Sequence, residues 1–277
     1  MSAPLVVKFG GELLEDPARL RVVVTAMGRV AATGAPLVIV HGGGKEIDAA
    51  LKIAGIEKRQ VEGLRITDEP TLDVVVSVLA GAVNTRFVAA LTTAGARAVG
   101  LTGADGGCGR AQAAPAHRTV DGQVVALGRV GIPSADADMH LLTTLTEAAF
   151  VPVLACIGLG EDGRLFNVNA DTFVGHLAAR LAAQRLVIAG TTAGVLDASG
   201  ATIARLDLAD VDRLISDRTA TAGMIAKLRA CSDAIEAGVG DVVIVDGRDG
   251  EALAQAALAD APARATRIVP ATADARR

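Results

Sequence analysis

Short runs of β-branched residues alternate with longer Ala- and Leu-rich segments along most of this chain, and that alternation limits the folds open to it more than any other feature. Leu5–Phe9, Pro36–Val40, Ala96–Leu101, Val151–Ile157, Leu165–Val168, Arg185–Ala189 and Val242–Asp246 read as strands. Asp16–Thr33, Lys45–Ala54, Thr71–Ala94, Asp138–Phe150, Ala170–Leu181, Ala209–Ser216, Met224–Ala237 and Gly250–Leu258 read as helices. Successive strand–helix units imply right-handed crossovers and a largely parallel sheet covered by helices on both faces. The expected fold is therefore α/β, an open, mostly parallel sheet sandwiched by helices. Pro152 points to an edge or starting position in its strand, and Arg267–Val269 reads as a final edge strand. Residues 102–140 are Gly-rich without a long apolar period and read as strands and loops over a sheet edge. Within them, Ala116–Val120 and Gln123–Ala126 flank Asp121-Gly122 as a hairpin.

A length of 277 residues suffices for a large core. With no Trp, no Tyr and five Phe, that core must be built from Val, Leu, Ile and Ala. A formal net charge of -4 gives no electrostatic case for nucleic acid. Cys108, Cys156 and Cys231 are widely spaced with no CxxC, so neither a disulfide framework nor a zinc site is indicated, and a reducing cytoplasm fits. No basic n-region with a long apolar h-region opens the chain, and runs such as Leu37–Val40 and Val242–Val245 are too short to span a bilayer. No membrane partner is expected.

Ligands of such sheets gather beyond the C-terminal ends of the strands. Two glycine turns stand there: Lys8-Phe9-Gly10-Gly11 and His41-Gly42-Gly43-Gly44. Adjacent glycines let backbone N–H groups converge on one point, and the positive end of a following helix adds to them. Two such turns make a place for a phosphoryl group or an acceptor carboxylate, with Lys8 as a cation beside it. A single turn of this kind reads equally well as a tight strand-to-helix connection. His41 by itself reads as a packing residue. Neither GxxxxGK[ST] nor the dinucleotide fingerprint occurs. Arg65, in Gly63-Leu64-Arg65, offers a rigid fork for a carboxylate, and a solvated surface Arg is the alternative. Asp171 starts a helix, where an N-cap is the structural reading. Lys227 lies about one turn into its helix, where a surface lysine is the default.

The chain resembles the amino-acid kinase superfamily and, within it, the acetylglutamate kinases, from Leu5 to about Val269. The matching segments are VKFGG at 7–11, VIVHGGGKEID at 38–48, EGLRITD at 62–68, VGLTGADGG at 99–107, FNVNAD at 166–171, AGVLD at 193–197, AGMIAK at 222–227 and VDGR at 245–248. GLRIT and NVNAD are the more specific ones. The resemblance implies a two-lobed, eight-stranded α/β sandwich, with an acceptor lobe over residues 1–180 and an ATP lobe over 181–277. It implies transfer of the ATP γ-phosphoryl group to the side-chain carboxylate of N-acetyl-L-glutamate, in arginine biosynthesis. By the same resemblance Lys8 and Lys227 are the catalytic lysines and Asp171 holds both. Gly10, Gly11 and Gly43 are phosphate donors, and Gly43, Gly44, Arg65 and Asn167 hold the acceptor. Gly190, Thr191, Gly194, Val195, Thr219 and Thr221 lie on the nucleotide side. Thr191 stands where relatives usually carry Asp or Asn, and it supplies no negative charge.

ATP with Mg²⁺ is the implied cofactor. The absence of an obvious carboxylate cluster fits a metal that arrives on the nucleotide, so no metal ligand is assigned. A kinase of carrier-linked aminoadipate or glutamate, or a sensor of the same fold without catalysis, remains open. In this family dimers resemble a pairing of N-terminal-lobe helices, which puts Thr71–Ala94 and its Gly81 at the contact of a homodimer. Regulated relatives carry an extra N-terminal helix, and four residues precede the first strand here, so insensitivity to L-arginine is expected.

Overall fold

A computed structural model describes residues 3–119, 121–217, 222–259, 262 and 264–270. Eight strands form the central sheet, in the order Arg205–Asp207, Ala265–Val269, Val242–Asp246, Arg185–Gly190, Leu5–Phe9, Leu37–His41, Val151–Ala155 and Ala98–Thr102. The last six run parallel, whereas Ala265–Val269 and Arg205–Asp207 run parallel to each other and antiparallel to the rest. The sheet is thus open, mostly parallel and sandwiched by helices.

Strand alternation divides the core. Val6, Val38, Val40, Leu154, Leu186, Ile188 and Ile244 join one cluster, with residues of the helices Gly44–Ile53, Ala170–Arg180 and Ala222–Glu236. Leu5, Val7, Phe9, Ile39, Val153, Val187 and Val243 join the other, with residues of Pro17–Ala32, Asn84–Thr93 and Gly250–Leu258. Central strands buried on both faces need unbroken apolar runs, and LVVKF, LVIVH and VVIVD supply them. Asp16 caps Pro17–Ala32 by accepting from the Ala18 and Arg19 amides, with Pro17 in the first turn.

One edge reading is corrected, and for Pro152 the choice between an edge and a starting position falls on the start. Ala265–Val269 is an inner strand, because the short strand Arg205–Asp207 covers its outer side. Val151–Ala155 is also internal. Pro152 fits there because it precedes Val153, where pairing with Leu37–His41 begins, so the absent N–H costs no bond on that side.

The segment Glu69–Thr93 is helical throughout but not uniformly α. Glu69–Val76 and Asn84–Thr93 flank a π-turn over Ser77–Val83. Val75, Leu79, Val83, Phe87 and Leu91 are buried at successive four-residue steps. A regular α-helix would rotate this stripe by about 40° per step, and the wider turn takes up part of the drift. Asn84, at the end of the π-turn, is buried and donates through Nδ2 to Leu101 O (3.1 Å) and Val153 O (2.9 Å). By length and composition this segment could cross a membrane, with a mean hydropathy of 1.8 over an 18-residue window. Here their apolar stripe packs into the sheet core instead.

A second sheet, in the order Ile157–Leu159, Leu165–Val168, Val130–Pro133 and Ala111–Ala113, stands beside the first. Two hairpins accompany it: Gln60–Val61 with Leu64–Arg65, and His117–Arg118 with Val124–Val125. The latter matches the hairpin read around Asp121-Gly122, although Val120 itself lies outside the described residues.

Candidate active site

Lys8 shares strand parity with Val6 and therefore emerges on the face covered by Ala170–Arg180 and Ala222–Glu236. Its Nζ stands 2.8 Å from Asp171 Oδ1, and Lys227 Nζ stands 3.4 Å from Asp171 Oδ2. Two cations thus share one carboxylate, and all three side chains are largely buried. Asp171 is not the helix cap. Asn169 is, accepting through Oδ1 from the Asp171 amide (2.9 Å) and the Thr172 amide (3.1 Å). Capping two residues earlier frees the Asp171 carboxylate for the lysines. Gly175 lets the two helices approach, since a Cβ there would lie 3.2 Å from Ala230 O.

The three groups titrate in different directions. Burial pulls the Lys8 ammonium down, but Asp171, aided by Glu12, more than offsets this and holds it above the usual lysine value. Burial, then repulsion from Lys8, holds Lys227 below its usual value despite Asp171. Burial pushes the Asp171 carboxyl up, yet the two lysines prevail and keep it below the ordinary aspartate value. Cys156 and Cys231 flank the cluster as neutral thiols, both pushed up to about 12, chiefly by burial. With both lysines protonated the cluster carries one net positive charge, available to an anion.

The two glycine turns meet beside it. The Gly42 amide donates to Phe9 O (3.1 Å) and the Gly10 amide to Ala189 O (3.2 Å), so each turn is tied to the neighbouring strand. Gly44 opens the helix Gly44–Ile53. His41 is buried and edge-on to Phe87, with Nδ1 3.1 Å from Gly42 O. Burial lowers its pKa to about 4, so it is a neutral packing residue.

Arg65 reaches the second turn. Its Nη2 donates to Gly44 O (3.3 Å) and to Asp48 Oδ1 (2.5 Å), while Nη1 is buried with no hydrogen-bond partner among the described residues. Asn167 Nδ2 donates to Thr67 Oγ1 (3.2 Å), which in turn donates to Arg65 O (3.1 Å). This chain joins the hairpin of Arg65 to the strand Leu165–Val168. Thr67 and Asp48, which hold the arrangement, were not singled out from sequence; GLRITD and GGGKEID contain them, but only the fold brings them together. A cavity of about 820 Å³ lined by Arg110, Arg129, Arg164 and Phe166 contains neither lysine. Phe166 and Asn167 are neighbours in one strand and face opposite ways, and Thr67, the partner of Asn167, also lines this cavity, so the two regions adjoin.

In the segment that the sequence reading put on the nucleotide side, Gly190 ends its strand and its carbonyl accepts from the Gly247 amide (2.8 Å). Thr191 O accepts from Arg248 Nη2 (2.9 Å), and Arg248 also pairs with Asp246 (2.7 Å). The Val195 amide is taken by Thr266 Oγ1 (2.7 Å) and its side chain is in the core. Gly194 adopts φ +96°, and a Cβ there would fall 2.5 Å from Thr266 Oγ1. Gly190 and Thr191 are therefore the members of this segment nearest the strand ends. Thr219 and Thr221 lie outside the described residues.

Residues 3–246 match the model of the amino acid kinase family. Acetylglutamate kinase of Novosphingobium aromaticivorans is 42% identical over 252 residues, covering 88% of this chain and 83% of the relative. Acetylglutamate kinase of Brucella abortus is 42% identical over 250 residues with the same coverage. Among solved structures, N-acetylglutamate synthase from Neisseria gonorrhoeae, complexed with coenzyme A and N-acetyl-glutamate, has a TM-score of 0.81 at 24% identity. That alignment covers 98% of this chain, which spans 60% of the synthase's length. Carbamate kinase from Giardia lamblia bound to AMP-PNP has a TM-score of 0.68 at 16% identity, covering 98% of this chain and 100% of that one. Both structural likenesses concern the fold alone.

Proposed function

The chain belongs to the amino acid kinase family and, within it, to the acetylglutamate kinases, and on that footing we propose that it transfers the ATP γ-phosphoryl group to the side-chain carboxylate of N-acetyl-L-glutamate. The observation that carries the reading is the pair of lysines on Asp171 beside two touching glycine turns. A carboxylate acceptor is already ionised near pH 7 and needs no strong base. The difficulty is to bring it against a polyanion, so positioning and charge compensation do most of the work. An acceptor oxygen bonds to the γ-phosphorus as the bond to the β–γ bridging oxygen breaks, and ADP leaves with those electrons.

Lys8 and Lys227 supply cations around that transfer, and Asp171 fixes where both stand. The amides of Gly11, Gly43 and Gly44 donate to phosphoryl and acceptor oxygens, whereas the Gly10 amide, expected from sequence to join them, is held by Ala189 O. The unpartnered Nη1 of Arg65 and the amide of Asn167 hold the acceptor's polar groups. Gly190 and Thr191 receive the nucleotide. Mg²⁺, when bound with ATP, spreads the negative charge of the β and γ oxygens. Residues 1–180 form the acceptor lobe and 181–277 the nucleotide lobe. A cytoplasmic homodimer completes the reading, with the partner against the exposed side of Glu69–Thr93 and the half-exposed edge strand Ala98–Thr102.

Hydroxylamine trapping tests the reaction. Purified protein with MgATP and N-acetyl-L-glutamate is expected to yield a hydroxamate and equivalent ADP. A hydroxamate formed only with carrier-linked aminoadipate or glutamate would move the activity to that acceptor.

A further inference from the structure

Glu12 is an acidic residue at this centre that makes no ion pair with the lysine cluster among the described residues, although its charge acts on Lys8. It follows the first glycine turn within Gly11–Leu13 and is half-buried. Its side chain folds back over the turn, so that a Cβ on Gly10 would fall 2.4 Å from both carboxylate oxygens. A Cβ on Gly190 would lie 3.6 Å from Oε1. The carboxylate therefore sits across the C-terminal ends of two paired strands, Leu5–Phe9 and Arg185–Gly190. Gly10 is what leaves room for it.

Among the described residues no hydrogen bond or ion pair reaches this carboxylate. The other acidic groups nearby are engaged: Asp171 with Lys8 and Lys227, Asp246 with Arg248, Glu15 with Lys45 and Glu46 with Arg86. An unpaired anion where a polyphosphate must approach repels it, unless a cation arrives with the nucleotide. Hard divalent cations of this kind use one or two carboxylates together with phosphate oxygens and water. A single free carboxylate beside a glycine turn fits that donor set.

We propose that Glu12 is the protein's own ligand for the divalent cation that enters with the nucleoside triphosphate. The inference rests on the kinase reading above and adds to it a metal-holding residue. Glu12→Gln keeps the shape and removes the charge. Mn²⁺ affinity in the presence of ADP, read from the electron paramagnetic resonance of free Mn²⁺, is expected to weaken roughly tenfold or more. ADP binding in EDTA, read by calorimetry, is expected to stay the same or tighten. Glu12→Asp, which keeps the charge with a shorter reach, is expected to fall between wild type and Glu12→Gln.

Unchanged Mn²⁺ affinity in Glu12→Gln, with ADP still bound, would overturn this role and leave the kinase reading standing. An equal loss of metal-free ADP affinity would overturn it too, by assigning Glu12 to the nucleotide. Wild-type protein that binds ADP neither with nor without Mn²⁺ would sink the kinase reading itself.

Discussion

Gly11 and Gly43 lie back to back, so closely that a Cβ on the first would fall 2.7 Å from the Cα of the second. The neighbour is backbone and cannot swing away. Gly11→Ala is therefore expected to destabilise the fold by about 1–3 kcal/mol and to lower kcat by parting the two turns. Gly44 has nothing within 4 Å of its would-be Cβ, so Gly44→Ala serves as the steric control. Urea unfolding of the two variants checks this, and equal midpoints would sink it.

Lys8→Ala should lower kcat on the order of 10²-fold, as for loss of one electrostatic donor, while nucleotide binding changes little. Because Lys8 and Lys227 act through one carboxylate, the Lys8→Ala/Lys227→Ala pair should cost much less than the product of the single losses. Single-turnover rates decide this, and full multiplicativity would mean that the lysines act separately.

The directions of titration predict an alkaline limb in the pH–rate profile. The active form of each lysine is protonated. Lys227 is held below its usual value and Lys8 above it, so Lys227 loses its proton first as pH rises. Activity should fall below the ordinary lysine range through Lys227. Repulsion from Lys8 contributes to that lowering, so the residual activity of Lys8→Ala should persist to higher pH. A limb that stays in place in that variant would assign it to another group.

Arg65→Lys is expected to raise the KM for N-acetyl-L-glutamate and spare that for ATP. Lysine offers a single nitrogen, whereas the planar fork of Arg65 reaches Asp48 and Gly44 O through Nη2 and keeps Nη1 for an acceptor. Steady-state titration of each substrate is the measurement, and equal acceptor KM values would confine Arg65 to bracing the Gly44 turn.

Light scattering should give the mass of a dimer for the wild type. Ala89 is an exposed residue of Asn84–Thr93, and Ala89→Glu should give a monomer if that surface pairs. A dimer that survives the charge would place the interface elsewhere.

Much of this fold was legible because inner parallel strands require continuous apolar runs, and LVVKF, LVIVH and VVIVD stand out for that reason. The strand Arg205–Asp207 escaped because three residues, RLD, carry no period to read. Lys8 announced itself by interrupting an apolar strand at its end. Lys227 did not, because a lysine on a helix looks alike whether it meets solvent or a buried carboxylate 56 residues away in sequence. For Asp171 the cap was only the structural alternative to holding the lysines; Asn169 and Asp171 are both good cap residues, and only the backbone chooses between them. Glu12 could have been noticed as a carboxylate directly after a glycine turn meant for anions.

The π-turn at Ser77–Val83 gives this helix a place where its chain length can change. With one residue fewer there, regular α winding would supply about the rotation that the lost residue gave, and Asn84, Phe87 and Leu91 would keep close to their present directions. The same deletion within Asn84–Thr93, which is already α-helical, would turn all that follows it by about 100°. One lost between Phe87 and Leu91 would carry Leu91 out of the core. Naturally shortened variants of this stretch should therefore lose their residue inside Ser77–Val83 and not after it.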